Sequence, residues 1–391
     1  MISFLACAEA VLAPAEGITV SEAEQLVPGS GDIVLPAEVL PQASNNNLDV
    51  ALLEGALYLA FRTAPSHFAS PDTAMYVVRS VDGGTTWTHE LTLAMGTDLR
   101  EPRLLAFDGK LFLYFAVLGA DSSDFEPQGS MVVVREGGQW SEPAWLFEND
   151  FIPWRVRTID GVPYMIGYTN GGDIYDFESD ALPAIEVRWL TSGDGLAWTA
   201  VVPGQEVVQT GGGSETDWVV LPDGAVLAVT RNEAGDESGW GSNICRAEAD
   251  SLGAWRCVND PRKYDSPLMF RQGDKNYLVA RRNVTEDGYY DLGYRDDGHV
   301  EQTLAYSAAY WGEPKRCSLW EVDDVSLEVS FILDLPSRGD TCFPSALDEG
   351  GGRWMVYNYS SPVDGPDLSW LEGQLGVTYI YRQRLSFPTG G

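Results

Sequence analysis

Six times along this chain an apolar run, a glycine-containing turn and a second apolar run follow one another: "VALLEGALYLAF", "RLLAFDGKLFLYF", "RTIDGVPYMIGY", "VVLPDGAVLAVT", "LMFRQGDKNYLVA" and "LDEGGGRWMVY". A second marker recurs with them. Tryptophans close turn-rich stretches at Trp87 ("SVDGGTTW"), Trp140 ("REGGQW"), Trp198 ("SGDGLAW") and Trp255 ("ADSLGAW"), at separations of 53, 58 and 57 residues. A fixed period carrying about four short strands is the signature of radial repetition, in which each unit buries its faces against its neighbours. The expected fold is therefore all-β, a six-bladed β-propeller. The blades should open near Asn45, Leu99, Ile152, Gly213, Tyr264 and Asp340.

The last unit has only three strand-like runs, ending in "GVTYIYRQRL". "GITVSEAEQLV" (Gly17 to Val27) supplies the missing one, so that the two termini close the ring and protect the end edges. This reading makes residues 17–391 one propeller domain and residues 1–16 a tail or signal remnant. A chain of 391 residues with 41 glycines, 22 prolines and 44% hydrophobic residues has the turns and the core material for it.

Composition also excludes partners. A formal charge of −33 makes nucleic acid and anionic membrane poor partners. No apolar run is long enough to span a bilayer. A small-molecule or glycan partner and a monomeric state are expected. Two of the five cysteines, Cys245 and Cys257, flank a hairpin, and Cys317 and Cys342 each adjoin a strand-like run. Two disulfides would suit an exported protein. Cys7, in "MISFLACAEA", would stay unpaired in a stretch loosely resembling the end of a lipoprotein signal.

Within "SVDGGTTW", the Asp and Ser can bond turn amides, the glycines can take positive φ, and the Trp can pack on the sheet below. Ser80, Asp82, Gly84, Thr86 and Trp87 match the form Ser-x-Asp-x-Gly-x-Thr-Trp, which resembles the Asp box of the sialidase-like propellers. "SGDGLAW" lacks one residue of it. In that family the box is structural and lies away from the chemistry, so it speaks to fold rather than activity.

Ligands of a propeller bind where the inner strands converge at one mouth of the channel. Aligning the blades on the turn glycine brings Asn47, Glu101, Trp154 or Arg155, Glu215, Asp265 and Thr341 or Cys342 to comparable positions. Apolar residues would merely fill the channel; carboxylates there need a partner or a ligand. Buried Arg–carboxylate pairs plugging the channel are the structural alternative. "SETDWVVLPDGAVLAVTR" places Glu215 sixteen residues before Arg231 around a Leu-x-Asp-Gly turn. This is similar to the sialidases, and the resemblance implies that Glu215 polarises a nucleophile while Arg231 grips a sugar carboxylate. Departures are evident too. "NNNLD" stands where sialidases open blade one with an arginine, and "TCFP" where their tyrosine nucleophile would open blade six. Arg316 is the candidate third arginine and Asp72 a stand-in acid/base.

Three functional readings follow. The first is a glycoside-active hydrolase with catalytic groups drawn from Glu101, Glu215, Asp265, Asp72 and His67, and with Arg62, Arg100, Arg155, Arg157 and Arg231 binding an acidic sugar. His67 enters because the loop "RTAPSHFASPD" should overhang the mouth. The second takes Asn47, Glu101, Glu215 and Asp265 as hard oxygen ligands of a calcium ion. By residue type this is similar to the paraoxonase-type lactonases and phosphotriesterases, where a channel metal polarises the substrate. Against it stand the nearby arginines. The third is a glycan-binding propeller without catalysis.

Overall fold

A computed structural model describes residues 17–122, 125–175 and 177–388. Six antiparallel sheets are arranged as a ring of blades. Their inner strands are Ser44–Leu53, Leu99–Phe107, Ile152–Ile159, Gly213–Val220, Asp265–Gln272 and Ser345–Gly350. Five openings fall within a residue of the expected positions. The sixth strand starts five residues late because the chain from Asp340 is occupied otherwise: Thr341 bridges Ser360 and Cys342 bonds Cys317.

The second strands explain the long apolar runs. Every residue of Ala56–Ala64 is buried, because each blade is covered on both faces by its neighbours. The recurrent tryptophans lie in or immediately before the outer strands of blades one to four, as with Trp87 before Thr88–Leu93 and Trp198 at the head of Trp198–Ala200. In the Ser80–Trp87 turn, Ser80 Oγ accepts from the Gly84 amide at 2.8 Å and Asp82 accepts from the Thr85 and Thr86 amides. Trp87 is buried beneath that turn.

Ring closure occurs as expected. Thr19–Val20 and Glu24–Val27 pair with Tyr379–Ser386, whose other edge carries Arg353–Ser360. The outer strand is split in two in blades two, three and six. Both disulfides form, Cys245–Cys257 between register partners on neighbouring strands of blade four and Cys317–Cys342 between blades five and six. Cys7 and the rest of the N-terminal tail lie outside the described residues. No helix among the described residues is long and apolar enough to cross a membrane.

Two segments break the strand pattern in a way that shapes the mouth. Between the second and third strands, blade five inserts a helix, His299–Gly312, and blade six a short helix, Trp370–Leu375. They pack together through Tyr310 and Trp370.

Candidate functional site

The inner strands do not run straight to the mouth. In five blades a β-bulge interrupts the pairing near the strand's start, between Asn46 and Leu48, Arg100 and Arg103, Pro153 and Arg155, Gly213 and Thr216, and Asp265 and Leu268. Asn47, Glu101 and Ser266 sit at φ 39°, 53° and 52°, a region that non-glycine residues seldom adopt. Bulges re-aim side chains. Here they bring Asn47, Glu101, Trp154, Glu215 and Ser266 to one cavity of about 390 Å³. Strain of this kind is held where the surroundings over-determine it, commonly at functional sites.

Glu215 is the best-buried carboxyl lining that cavity. Its Oε1 meets Arg231 at 2.8 Å and its Oε2 accepts from the Ser266 amide at 2.7 Å. Burial nevertheless pushes the carboxyl up to about 7, against the pull of Arg231 and with the push of Asp265 and Glu101. Arg231 also faces Glu233 at 3.0 Å and Asp265 at 3.6 Å, and it donates to Ser214 Oγ. Glu101 accepts from Asn47 at 3.1 Å, and burial raises it against Arg103 and Arg100.

Asp265 is a different kind of carboxylate. It is almost fully buried among Lys263, Arg281, Arg231 and the Tyr310 hydroxyl. Burial would raise it, but Lys263, Arg281 and Arg231 outweigh burial and hold it below its ordinary range. It organises cations from behind the cavity wall rather than facing the cavity.

His67 does line the cavity. Its Nδ1 lies 2.6 Å from Asp340, which is itself fully buried and accepts from the Tyr359 hydroxyl at 2.9 Å. Burial pushes the imidazole down despite Asp340. With Nδ1–H given to Asp340, Nε2 remains as an acceptor. The loop carrying His67 is pinned by two arginines. Arg62 is fully buried, bound to Asp98 at 2.7 Å, and donates to the Ser66 and Phe68 carbonyls. Arg100 bridges Asp98 and the His67 carbonyl.

The remaining expected residues go elsewhere. Asp72 is exposed and does not line the cavity. Arg155 and Arg157 converge on Asp217 as a plug, on the side of the opposite channel opening. Arg316 pairs with Asp367 at 2.7 Å, away from the cavity; the third cavity arginine is instead Arg281. The four proposed calcium ligands are not gathered around one point. Glu215 and Asp265 both face Arg231, and among the described residues no group of three or more acidic, histidine or cysteine side chains could hold a metal ion.

Sequence reasoning missed Arg281, Tyr168, Tyr175, Tyr359 and Trp370, all of which line the cavity. Arg281 carried a readable signal. Asn46 and Arg62, Glu215 and Arg231, and Asp265 and Arg281 are each sixteen residues apart. The insert aromatics carried none, because nothing in their spacing says over which mouth they fold.

No family model and no curated protein matches this chain. Its fold does have relatives. A protein of unknown function from Dyadobacter fermentans is similar at TM-score 0.62 and 15% identity, over 96% of this chain and all of that one. Trypanosoma rangeli sialidase in complex with sialic acid is similar at TM-score 0.57 and 14% identity, over 95% of this chain and 59% of that one. The same sialidase with the inhibitor DANA gives 0.57 and 13%, over 88% of this chain. The chain thus spans little more than half the length of the sialidase chains. At these identities the likeness is one of fold, the six-bladed β-propeller.

Proposed function

We propose that the protein is a glycoside hydrolase acting on a sugar held in the mouth cavity, with Glu215 as proton donor. The observation that carries this is a division of labour within one cavity. Glu215 keeps its proton near neutrality, while His67, oriented by Asp340, stays neutral with a free acceptor nitrogen. Groups whose environments set opposite protonation states are the marks of acid and base roles. Glu215 would protonate the leaving oxygen and His67 would take a proton from water. Glu101 would face the positive charge that develops on the sugar ring. Trp154, Tyr168, Phe177 and Trp370 supply faces for stacking.

The substrate need not be acidic. Each cavity arginine already has its carboxylate, with Arg231 facing three, Arg100 paired with Asp98 and Arg281 with Asp265. Among the described residues lining the cavity, no arginine is without a carboxylate partner. That same saturation favours a second reading, a glycan-binding propeller without turnover. Two disulfides fit an exported protein, and a monomer is the simplest state for it.

Hydrolysis of a panel of neutral, amino and acidic aryl glycosides tests the proposal, with glycan-array binding alongside. Turnover that falls in Glu215→Gln supports it. Glycan binding without turnover in the native protein would replace it with the second reading. Turnover unaffected by Glu215→Gln would refute the assignment.

A further inference from the structure

Beneath the cavity, between the two openings of the axial channel, stands Arg103. It has no solvent exposure, and its Nε, Nη1 and Nη2 have no hydrogen-bond partner. Its nearest carboxylate oxygen, on Glu101, is 3.9 Å away. The guanidinium carbon lies over the rings of Trp154 and Phe343, at 4.8 and 4.3 Å from their centres. A guanidinium bonds through the N–H groups in its own plane, and neither ring offers those groups a hydrogen-bond acceptor.

The buried aspartates that act on its charge already hold other donors. Asp49 accepts from the Leu104 amide at 2.7 Å and from Ser345 Oγ at 2.6 Å. Asp217 accepts from the Trp218 and Met269 amides and faces Arg155 and Arg157. Asp217 is thus shared between Arg155 and Arg157, and Glu101, whose Oε2 accepts from Asn47, comes no nearer to Arg103 than 3.9 Å. Burial and Arg155 draw Arg103 itself down to about 10. A buried charge left in this condition is costly unless something compensates it.

We propose that the channel holds a small monovalent anion, of the size and charge of chloride, against the edge of the Arg103 guanidinium. Water is the weaker fit. Each water that accepts from Arg103 must place its own two protons, and the unpartnered side-chain atoms at this level are mostly donors: three nitrogens of Arg103 and Trp154 Nε1, against one acceptor, Asn47 Oδ1. An anion accepts from several donors and donates none. The proposal does not depend on the protein's being a glycosidase.

Two measurements test it. Crystals grown or soaked in bromide should show an anomalous peak within hydrogen-bonding distance of Arg103. The melting temperature should rise by about 2 °C or more between 1 and 100 mM chloride, at ionic strength kept constant with gluconate, because a ligand of the folded state stabilises it. Arg103→Met should lose that dependence. Absence of the peak, or a peak with equal melting in chloride and gluconate (an adventitious ion only), would overturn the proposal. Both decisive readings use the unmutated protein, so they stand even if Arg103→Met does not fold.

Discussion

Glu215 and Arg231 stand sixteen residues apart in the chain and 2.8 Å apart at the channel mouth. One lies in the bulge that opens the inner strand of blade four, the other on the second strand opposite it. Arg231 does not spend itself on this one partner. It faces Glu233 and Asp265 as well, which leaves Glu215 protonated more readily than a carboxyl with an arginine to itself.

Replacing Glu215 by Gln keeps the shape and removes the titrating proton. On whichever glycoside the protein turns over, kcat should fall at least ~10²-fold while the protein stays folded. Steady-state kinetics and circular dichroism check both halves. An unchanged kcat would move the role to Glu101.

The pH profile follows from the same group. Its folded value near 7 lies above the unfolded value near 4.5, so the folded state binds the proton more tightly. Stability from this group is therefore full below the unfolded value and is lost as pH rises toward about 7. Activity that needs the protonated donor should also fall above about 7. Denaturant melts and kcat/KM measured from pH 4 to 9 should both lose this feature in Glu215→Gln.

Asp340 acts through His67. Asp340→Asn lets the imidazole take the other tautomer and removes the charge that orients it. Activity should drop ~10- to 10²-fold, with KM changing less than kcat. A loss confined to KM would mark Asp340 as a purely structural support of the mouth.

Closing the ring through the N-terminal segment has a measurable cost when undone. Leu26 is fully buried between blades one and six. Leu26→Ala should destabilise by about 2–5 kcal/mol, read from urea or guanidinium unfolding. A change below about 0.5 kcal/mol would mean that the Glu24–Val27 strand is dispensable to the core.

The disulfides are checked directly. Peptide mapping without reduction should recover Cys245 linked to Cys257 and Cys317 linked to Cys342. Reduction should cost about 2–4 kcal/mol for each bridge. Recovery of free thiols at these positions would remove the support they lend to export.

Much of the fold was legible because its causes are local. Strand alternation, glycine in the turns, and the Ser80 and Asp82 bonds to turn amides all act within a few residues, and the repeat multiplies them six times. The ring positions Asn47, Glu101 and Glu215 were legible for the same reason, since repeat alignment carries one blade's geometry to the next. The cavity itself was not. His67 meets Asp340 across 273 residues, and Arg62, which looks like a substrate arginine in sequence, turns away to Asp98. Arg155 and Arg157 lie on the inner strand of blade three at and beyond its bulge, whereas Arg231 lies on the second strand of blade four opposite a bulge, and that placement decides between plug and mouth. Sequence alone thus determined the strands, the turns, the ring and its closure, because propensity and hydrogen bonding over short spans set them. Which charged groups face the cavity, and which neutralise one another behind it, was decided only by tertiary packing, because burial and Coulomb energies depend on distances in space that the order of residues does not state.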